Sequence, residues 1–142
     1  MDLSSEYVNM CREAKEIQEH EPGVGDYVIH EKDRTDYPEN IKIIGEYLKF
    51  GSPDNYKLVT FEGIEIATSS PINEYVWLPT QDQLQDMYPL GWTKYDEMCR
   101  KMYNKWSVLT SRNDFTKEQI GLMVVMKDIC HKEWNGTEWI TL

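Results

Sequence analysis

The sequence contains few cysteines, and no two of them have the spacing of a metal or redox motif. Cys11, Cys99 and Cys130 are an odd number and lie far apart in a chain of 142 residues. Disulfide frameworks and zinc sites need more cysteines at characteristic spacings. We therefore expect three reduced thiols that pack as small hydrophobic side chains.

Long apolar runs are also missing. No stretch approaches the ~18–20 residues that a membrane-spanning helix needs. Residues 1–6 are acidic and lack the hydrophobic stretch of a signal peptide. We expect a cytoplasmic protein that has no membrane partner.

Positive charge is scarce, with 15 Lys and Arg against 25 Asp and Glu, for a net charge of −10. Residues 1–40 hold 11 acidic and 4 basic side chains, so this segment alone carries −7. Nucleic acid should repel such a chain. We therefore expect a protein partner and no nucleic acid; the sequence does not indicate an oligomeric state.

The order of the patterns predicts an α+β fold in one domain, 1–142. A helix is expected in residues 1–22, a small antiparallel sheet in 25–79, a helical part of two to three helices in 80–134, and a hairpin in 134–142. Consecutive short strands without intervening helices imply antiparallel pairing, and five of them in succession suggest an SH3-like arrangement. The predicted strands are Asp26–His30, Ile41–Leu48, Tyr56–Phe61, Ile64–Thr68 and Glu74–Leu78, with turns at Gly51–Asp54 and Glu62–Gly63.

The first helix is predicted from Glu6 to His20, with Pro22-Gly23 ending it. Its apolar and acidic residues recur at helical spacing on two opposite faces. The apolar face comprises Tyr7, Met10, Cys11, Ala14 and Ile17, and the acidic face comprises Glu6, Glu13, Glu16 and Glu19.

Capping patterns predict the later helices. Thr80 and Thr116 are each followed three residues later by glutamine, which is the pattern of a capping box. Thr93 is predicted to cap a third helix between them. The helix after Thr116 is apolar nearly all round in its first half and should be the most buried. Asn135-Gly136 predicts a tight type I′ hairpin turn.

Three segments contain a histidine, which is a residue type common in metal and catalytic sites. Each is better explained as capping, solvated loop or packing, because the required ligands do not converge. They are Glu16 with His20, His30–Asp33, and Cys130-His131. Asp82 and Asp86 beside Tyr88 are the acids we would assign if the chain were an enzyme. No nucleophile in a glycine-flanked turn and no phosphate loop are present, since Gly23-x-Gly25 lacks the third glycine. We expect no catalytic residue, metal or cofactor.

Aromatic residues are abundant, with 5 Trp and 9 Tyr. Such side chains suit both protein interfaces and small cores. We predict three tryptophans in the core, Trp77, Trp106 and Trp134, and three tyrosines at the surface, Tyr37, Tyr88 and Tyr95.

The segment Tyr75–Met87, which reads YVWLPTQDQLQDM, resembles a group of uncharacterised phage and prophage proteins of Gram-positive bacteria. That group carries a WLPxQDQLQ(E/D)M segment, and the chain departs from it at Thr80, where an arginine is expected. Further similarity lies at Tyr7–Cys11, at Gly25–Tyr27 and between Met126 and Ile140. The resemblance implies phage origin and hence the host-cell cytoplasm, but no activity.

The leading hypothesis is a non-enzymatic phage or prophage accessory protein that binds another protein. One alternative is an acidic inhibitor that mimics nucleic acid and blocks a host defence nuclease; another is a small enzyme of unknown type. The candidate partner-binding residues are Glu6, Glu13, Glu16, Glu19, Gln81, Asp82, Gln85 and Asp86.

Overall fold

A computed structural model describes residues 1–47, 56–68 and 71–142. The chain divides into two compact units, one of residues Leu3–Leu78 and one of Met1–Asp2 with Pro79–Leu142. The division after Leu78 falls where the sequence predicts that the sheet ends and the helical part begins. The assignment of 1–142 to a single domain stays a prediction.

The α+β architecture is confirmed, with an N-terminal helix, a five-stranded antiparallel sheet, three helices and a C-terminal hairpin in the described residues. The elements are α1 Ser5–Glu13, β1 Tyr27–His30, β2 Lys42–Tyr47, β3 Tyr56–Val59, β4 Glu65–Thr68, β5 Tyr75–Leu78, α2 Gln81–Met87, α3 Gly91–Thr110, α4 Lys117–Cys130, β6 Lys132–Trp134 and β7 Trp139–Thr141.

The first helix is shorter than predicted. Ser4 caps it by accepting the Tyr7 N–H at 3.2 Å, but α1 ends at Glu13 rather than His20. Ala14 leaves the helical region with ψ 73°, and a separate 3₁₀ turn follows at Ile17–Glu19. The predicted apolar face is nevertheless buried, and α1 packs against β5.

The sheet has the strand order β4-β3-β2-β1-β5, and all its pairs are antiparallel. The first strand therefore pairs with both the second and the last, and a 3₁₀ turn at Ile72–Glu74 precedes β5. The sheet is open, with β4 and β5 as its two edge strands, and the SH3-like arrangement stays a prediction. Val28, Ile44 and Leu58 form a buried cluster with Ile72, and Tyr75 packs against it.

The two predicted turns of the sheet have different outcomes. The Glu62–Gly63 turn is confirmed: the Thr60 N–H donates to the Ile64 carbonyl at 2.9 Å, and Gly63 has the positive φ of 83° that favours glycine. The Gly51–Asp54 turn and the predicted strand end at Leu48 lie outside the described residues.

Both capping boxes are confirmed at Thr80 and Thr116. The predicted cap at Thr93 is wrong, because α3 begins at Gly91 without a side-chain cap. Gly91 has φ +82°, so a glycine turn starts this helix where the sequence suggested a threonine cap. The helix after Thr116, α4, is buried continuously from Gln119 to Met126, as predicted.

Gly121 lets the helices of the second unit approach closely. A Cβ at this position would lie 2.2 Å from the Tyr95 hydroxyl, 3.1 Å from Gln81 Oε1 and 3.2 Å from Leu84 Cδ1. These three residues belong to α3 and α2, so a glycine in α4 is the point at which the three helices meet.

The C-terminal hairpin is confirmed, with the Trp134 and Trp139 rings paired at 5.1 Å. Its predicted two-residue type I′ turn is wrong, because four residues connect the strands. Asn135 Oδ1 accepts the N–H groups of Thr137 and Glu138, both at 2.9 Å. The asparagine side chain thus organises a wider loop than Asn-Gly alone suggests.

Two of the predicted surface tyrosines are buried. Tyr88 is 5% exposed and Tyr95 is 1% exposed, whereas Tyr37 is at the surface as predicted. Burial is tolerated because each hydroxyl has a partner: Tyr88 donates to Asp128 at 2.6 Å and Tyr95 to Gln81 at 3.1 Å. Trp77 and Trp134 are buried as predicted, and Trp106 is half-buried.

Among the described residues, no helix combines the length and the apolar character needed to cross a bilayer.

Candidate functional site

A cleft of about 730 Å³ lies in the Leu3–Leu78 unit, between the chain that follows α1 and the chain around β5. Its volume falls in the range of roughly 300–1,000 Å³ that is usual for binding pockets. We call this cleft the β5 groove. It is lined by Arg12, Lys15, Gln18, Glu19, His20, Glu21, Pro22, Glu31, Pro71, Ile72, Asn73, Tyr75 and Val76.

Gln18 fixes one wall of the β5 groove to the other. Its Nε2 donates to the Trp77 carbonyl at 2.9 Å and to the Cys11 carbonyl at 3.0 Å. Its Oε1 accepts the Trp77 N–H at 2.8 Å. The side-chain amide therefore bonds β5 as a neighbouring strand would, and it covers these edge groups, which would otherwise be open to pairing with another chain.

Arg12 brings a positive charge with unused hydrogen-bonding capacity into the groove. Its Nη2 donates to the Asp33 carbonyl at 3.3 Å, while its Nε is buried and has no acceptor among the described residues. A guanidinium has five N–H donors. A buried charged donor without a partner is costly and calls for an explanation.

Lys15 adds a second cation to the same groove. Its Nζ donates to the Arg12 carbonyl at 3.0 Å. In the part of the chain that the structure describes, neither Lys15 nor Arg12 forms an ion pair with a carboxylate. Two neighbouring cations that form no direct ion pair are unexpected in a segment that carries −7 over residues 1–40.

The remaining lining is partly apolar and partly acidic. Ile72 and Tyr75 present apolar surface, and Tyr75 also packs on the sheet core. His20 stacks on Trp77 with a centroid distance of 4.1 Å. Three glutamates, Glu19, Glu21 and Glu31, also line the cleft. The groove can therefore accept a segment that combines an anionic group with apolar side chains.

The four N-terminal glutamates do not form the single acidic helix face that the sequence predicts. Glu6 and Glu13 lie on α1, whereas Glu16 and Glu19 lie beyond its end. Because α1 ends at Glu13, the predicted acidic face does not continue to Glu16 and Glu19. Glu13 and Glu19 are exposed and Glu6 and Glu16 are half-buried, and only Glu19 lines the β5 groove.

The second group of candidate residues lies on α2 as predicted, but its members have different roles. Asp82 and Asp86 are exposed. Gln81 is half-buried, and its Oε1 accepts the Tyr95 hydroxyl. Gln85 is half-buried as well. One of the four, Gln81, is thus part of the helix packing.

The residues suggested for acid–base chemistry are not assembled into a site. Tyr88 donates its hydroxyl to Asp128 and not to Asp86. Burial, and then the Asp128 carboxylate, raise the pKa of Tyr88 to about 12. Burial likewise raises the pKa of Cys99 to about 11, so this cysteine is a protonated thiol at neutral pH and a poor nucleophile.

The histidine segments do not converge on an ion. His30 Nε2 lies 3.2 Å from Glu74 Oε2, and the Lys32 N–H donates to His30 Nδ1 at 3.2 Å. His131 is not within α4 but follows its end with φ +56°, next to a half-buried Cys130. Across residues 1–47, 56–68 and 71–142, no group of three or more His, Cys, Asp and Glu side chains is placed to hold a metal.

Arg12, Lys15 and Gln18 were missed as site residues when only the sequence was considered. The sequence does contain an indication for Arg12 and Lys15. They are two of only four basic side chains in residues 1–40, and they are three positions apart. Gln18 had no such signal, because its partner Trp77 is 59 residues away.

Comparisons of the chain with protein-family models, with curated proteins and with solved structures found no match.

Proposed function

We propose that this chain is a non-enzymatic phage or prophage accessory protein that acts in the host-cell cytoplasm by binding another protein. The β5 groove is the proposed binding site. The partner contributes an extended segment with a carboxylate side chain flanked by an apolar residue. The phage assignment is supported by the resemblance of Tyr75–Met87 to the WLPxQDQLQ(E/D)M group.

The observation that carries the proposal is the Arg12 guanidinium in the groove lining, whose one acceptor among the described residues is the Asp33 carbonyl, bonded through Nη2 at 3.3 Å. A partner carboxylate can bond to a guanidinium through two parallel N–H groups. Lys15 adds a second positive charge nearby. Each charge-assisted bond contributes about 1.5–3 kcal/mol, which is sufficient for Arg12 to act as an anchor residue.

The apolar lining determines what flanks the carboxylate. Ile72 and Tyr75 offer surface that an aliphatic or aromatic side chain can cover. Glu19, Glu21 and Glu31 disfavour a partner segment with several carboxylates, and they disfavour nucleic acid. The preferred ligand is therefore a peptide with one acidic residue beside an apolar one.

The proposal is tested by selecting random displayed peptides on the purified protein. Enriched peptides should share one Asp or Glu next to an apolar residue. Arg12→Glu with Lys15→Glu should weaken binding of the selected peptides by about thirtyfold or more. Lys94→Glu with Lys101→Glu on α3 is the matched control, because it makes the same change in net charge at two lysines that do not line the β5 groove.

A failure to enrich any common sequence would contradict the proposal, as would equal binding by the double variant and the control. Circular dichroism of each variant verifies that the fold is retained. Lys15→Glu alone provides a second, milder test, because Lys15 is exposed and bonds only to a backbone carbonyl.

The nucleic-acid-mimic alternative receives less support, because the four glutamates do not share a helix and two basic residues lie among them. Its test is separate. Glu6→Lys with Glu13→Lys should abolish inhibition of a basic nuclease if the alternative holds, and should leave peptide binding at the β5 groove unchanged.

A further inference from the structure

The Pro79–Leu142 unit contains a second cleft, of about 450 Å³, between α3 and the start of α4. We call it the α3–α4 cleft. It is lined by Gln81, Asp96, Cys99, Arg100, Tyr103, Asn104, Phe115, Thr116, Lys117 and Ile120.

Two aromatic rings with fixed positions form part of its wall. The Tyr103 hydroxyl donates to the Asn113 carbonyl at 2.9 Å. The Arg112 guanidinium lies 4.2 Å from the centroid of the Phe115 ring. Ile120 is buried and contributes aliphatic surface. A planar apolar body can therefore pack between these side chains.

The polar side chains that line the cleft are mainly hydrogen-bond donors, and several of their N–H groups have no acceptor among the described residues. The Lys117 side chain forms no hydrogen bond or ion pair with another residue in the described part of the chain. Gln81 uses its Oε1 for the Tyr95 hydroxyl, which leaves its amide N–H groups available. Arg100 contacts Asp96 only through Nε, at 3.5 Å, so its terminal N–H groups are also available.

These groups select for negative charge. Arg100 and Lys117 outnumber the one carboxylate in the lining, Asp96, in a chain whose net charge is −10. Cys99 contributes a neutral thiol, since burial raises its pKa to about 11.

We propose that the α3–α4 cleft binds a small aromatic carboxylate. The ring lies against Phe115, Tyr103 and Ile120, and the carboxylate accepts hydrogen bonds from Lys117, Arg100 and the Gln81 amide. This site is separate from the β5 groove, so the two proposals can fail independently.

The test compares 2-naphthoate with 2-naphthamide, which has nearly the same shape without the charge. Both are titrated into the ¹⁵N-labelled protein, and amide chemical shifts are followed. Naphthoate should shift the amides of Cys99, Lys117 and Ile120 in a saturable manner. Naphthamide should bind at least about tenfold more weakly, which corresponds to the loss of one charge-assisted interaction.

Substitutions then assign the interaction. Lys117→Gln and Arg100→Gln should each lower the naphthoate affinity about tenfold and leave the naphthamide affinity unchanged. Phe115→Ala should weaken both probes alike. Lys94→Gln, outside the cleft on α3, is the control and should change neither affinity. Equal affinity for acid and amide, no saturable shifts, or an unaltered naphthoate affinity in Lys117→Gln would each overturn the proposal.

Discussion

Replacing Gln18 by alanine should destabilise the Leu3–Leu78 unit by about 2–4 kcal/mol. The substitution removes three hydrogen bonds, to the Trp77 N–H, the Trp77 carbonyl and the Cys11 carbonyl, at 2.8 to 3.0 Å. Each such bond contributes roughly 0.5–1.5 kcal/mol net. Three such bonds together contribute about 1.5–4.5 kcal/mol, and we expect a loss above the lower limit because backbone groups at the edge of β5 would be left unpaired.

Urea unfolding followed by tryptophan fluorescence measures this loss, because Trp77 lies beside the substituted residue. Gln85→Ala is the matched control: Gln85 is also a half-buried glutamine, and its side chain has no hydrogen bond within the described part of the chain. The control should lose less than about 0.5 kcal/mol. Equal losses in both variants would refute the role assigned to Gln18.

Gln18→Glu tests the direction of the same hydrogen bonds. A carboxylate can still accept the Trp77 N–H but cannot donate to the two carbonyls, so their oxygens would raise the pKa of the introduced carboxyl. A raised folded-state pKa contributes stability at low pH that is lost as pH rises through that pKa. The variant should therefore be closer to wild type at pH 5 than at pH 8, and a constant difference would contradict the donor assignment.

Three further predictions concern the Pro79–Leu142 unit. Gly121→Ala should cost about 1–3 kcal/mol by overpacking against the Tyr95 hydroxyl, 2.2 Å from the new Cβ, and Tyr95→Phe in that background should recover part of the loss in a double-mutant cycle. Tyr88→Phe should cost about 1 kcal/mol through the lost hydrogen bond to Asp128. The pKa of Tyr88 is raised to about 12 in the folded state, so this contribution to stability is full below pH ~10 and is lost as pH rises through the folded-state pKa. Urea unfolding of wild type and variant over a pH series measures the difference. Cys99, with its pKa at about 11, should react with iodoacetamide roughly a hundredfold more slowly at pH 8 than an unperturbed thiol, as measured by peptide mass spectrometry; a rate equal to that of a free thiol would contradict the burial.

Local signals in the sequence were sufficient for much of the fold. The capping boxes at Thr80 and Thr116 depend only on residues three apart, and both helix starts were predicted correctly. Strand positions followed from short apolar runs and turn residues. Periodicity also identified the buried residues of this region, because Ala14 and Ile17 are buried even though α1 ends at Glu13 and a separate 3₁₀ turn follows.

The errors arise where distant residues decide the outcome. Nothing within Glu6–His20 shows that Gln18 will leave the helix to bond Trp77, 59 residues away. The burial of Tyr88 depends on Asp128, 40 residues away. The β5 groove was missed for the same reason, since its two walls come from separate parts of the chain and only the folded structure brings them together.

The most direct measurement of the central claim is the Arg12 Nε–H signal in a ¹⁵N spectrum of the side chains. Arg12 can be assigned by comparison with Arg12→Lys. Adding a selected acidic peptide should shift this signal to lower field, as a new carboxylate bond forms, and the same peptide with Asp or Glu changed to Asn or Gln should not. Binding of the acidic peptide without any change at Arg12 Nε would contradict the account.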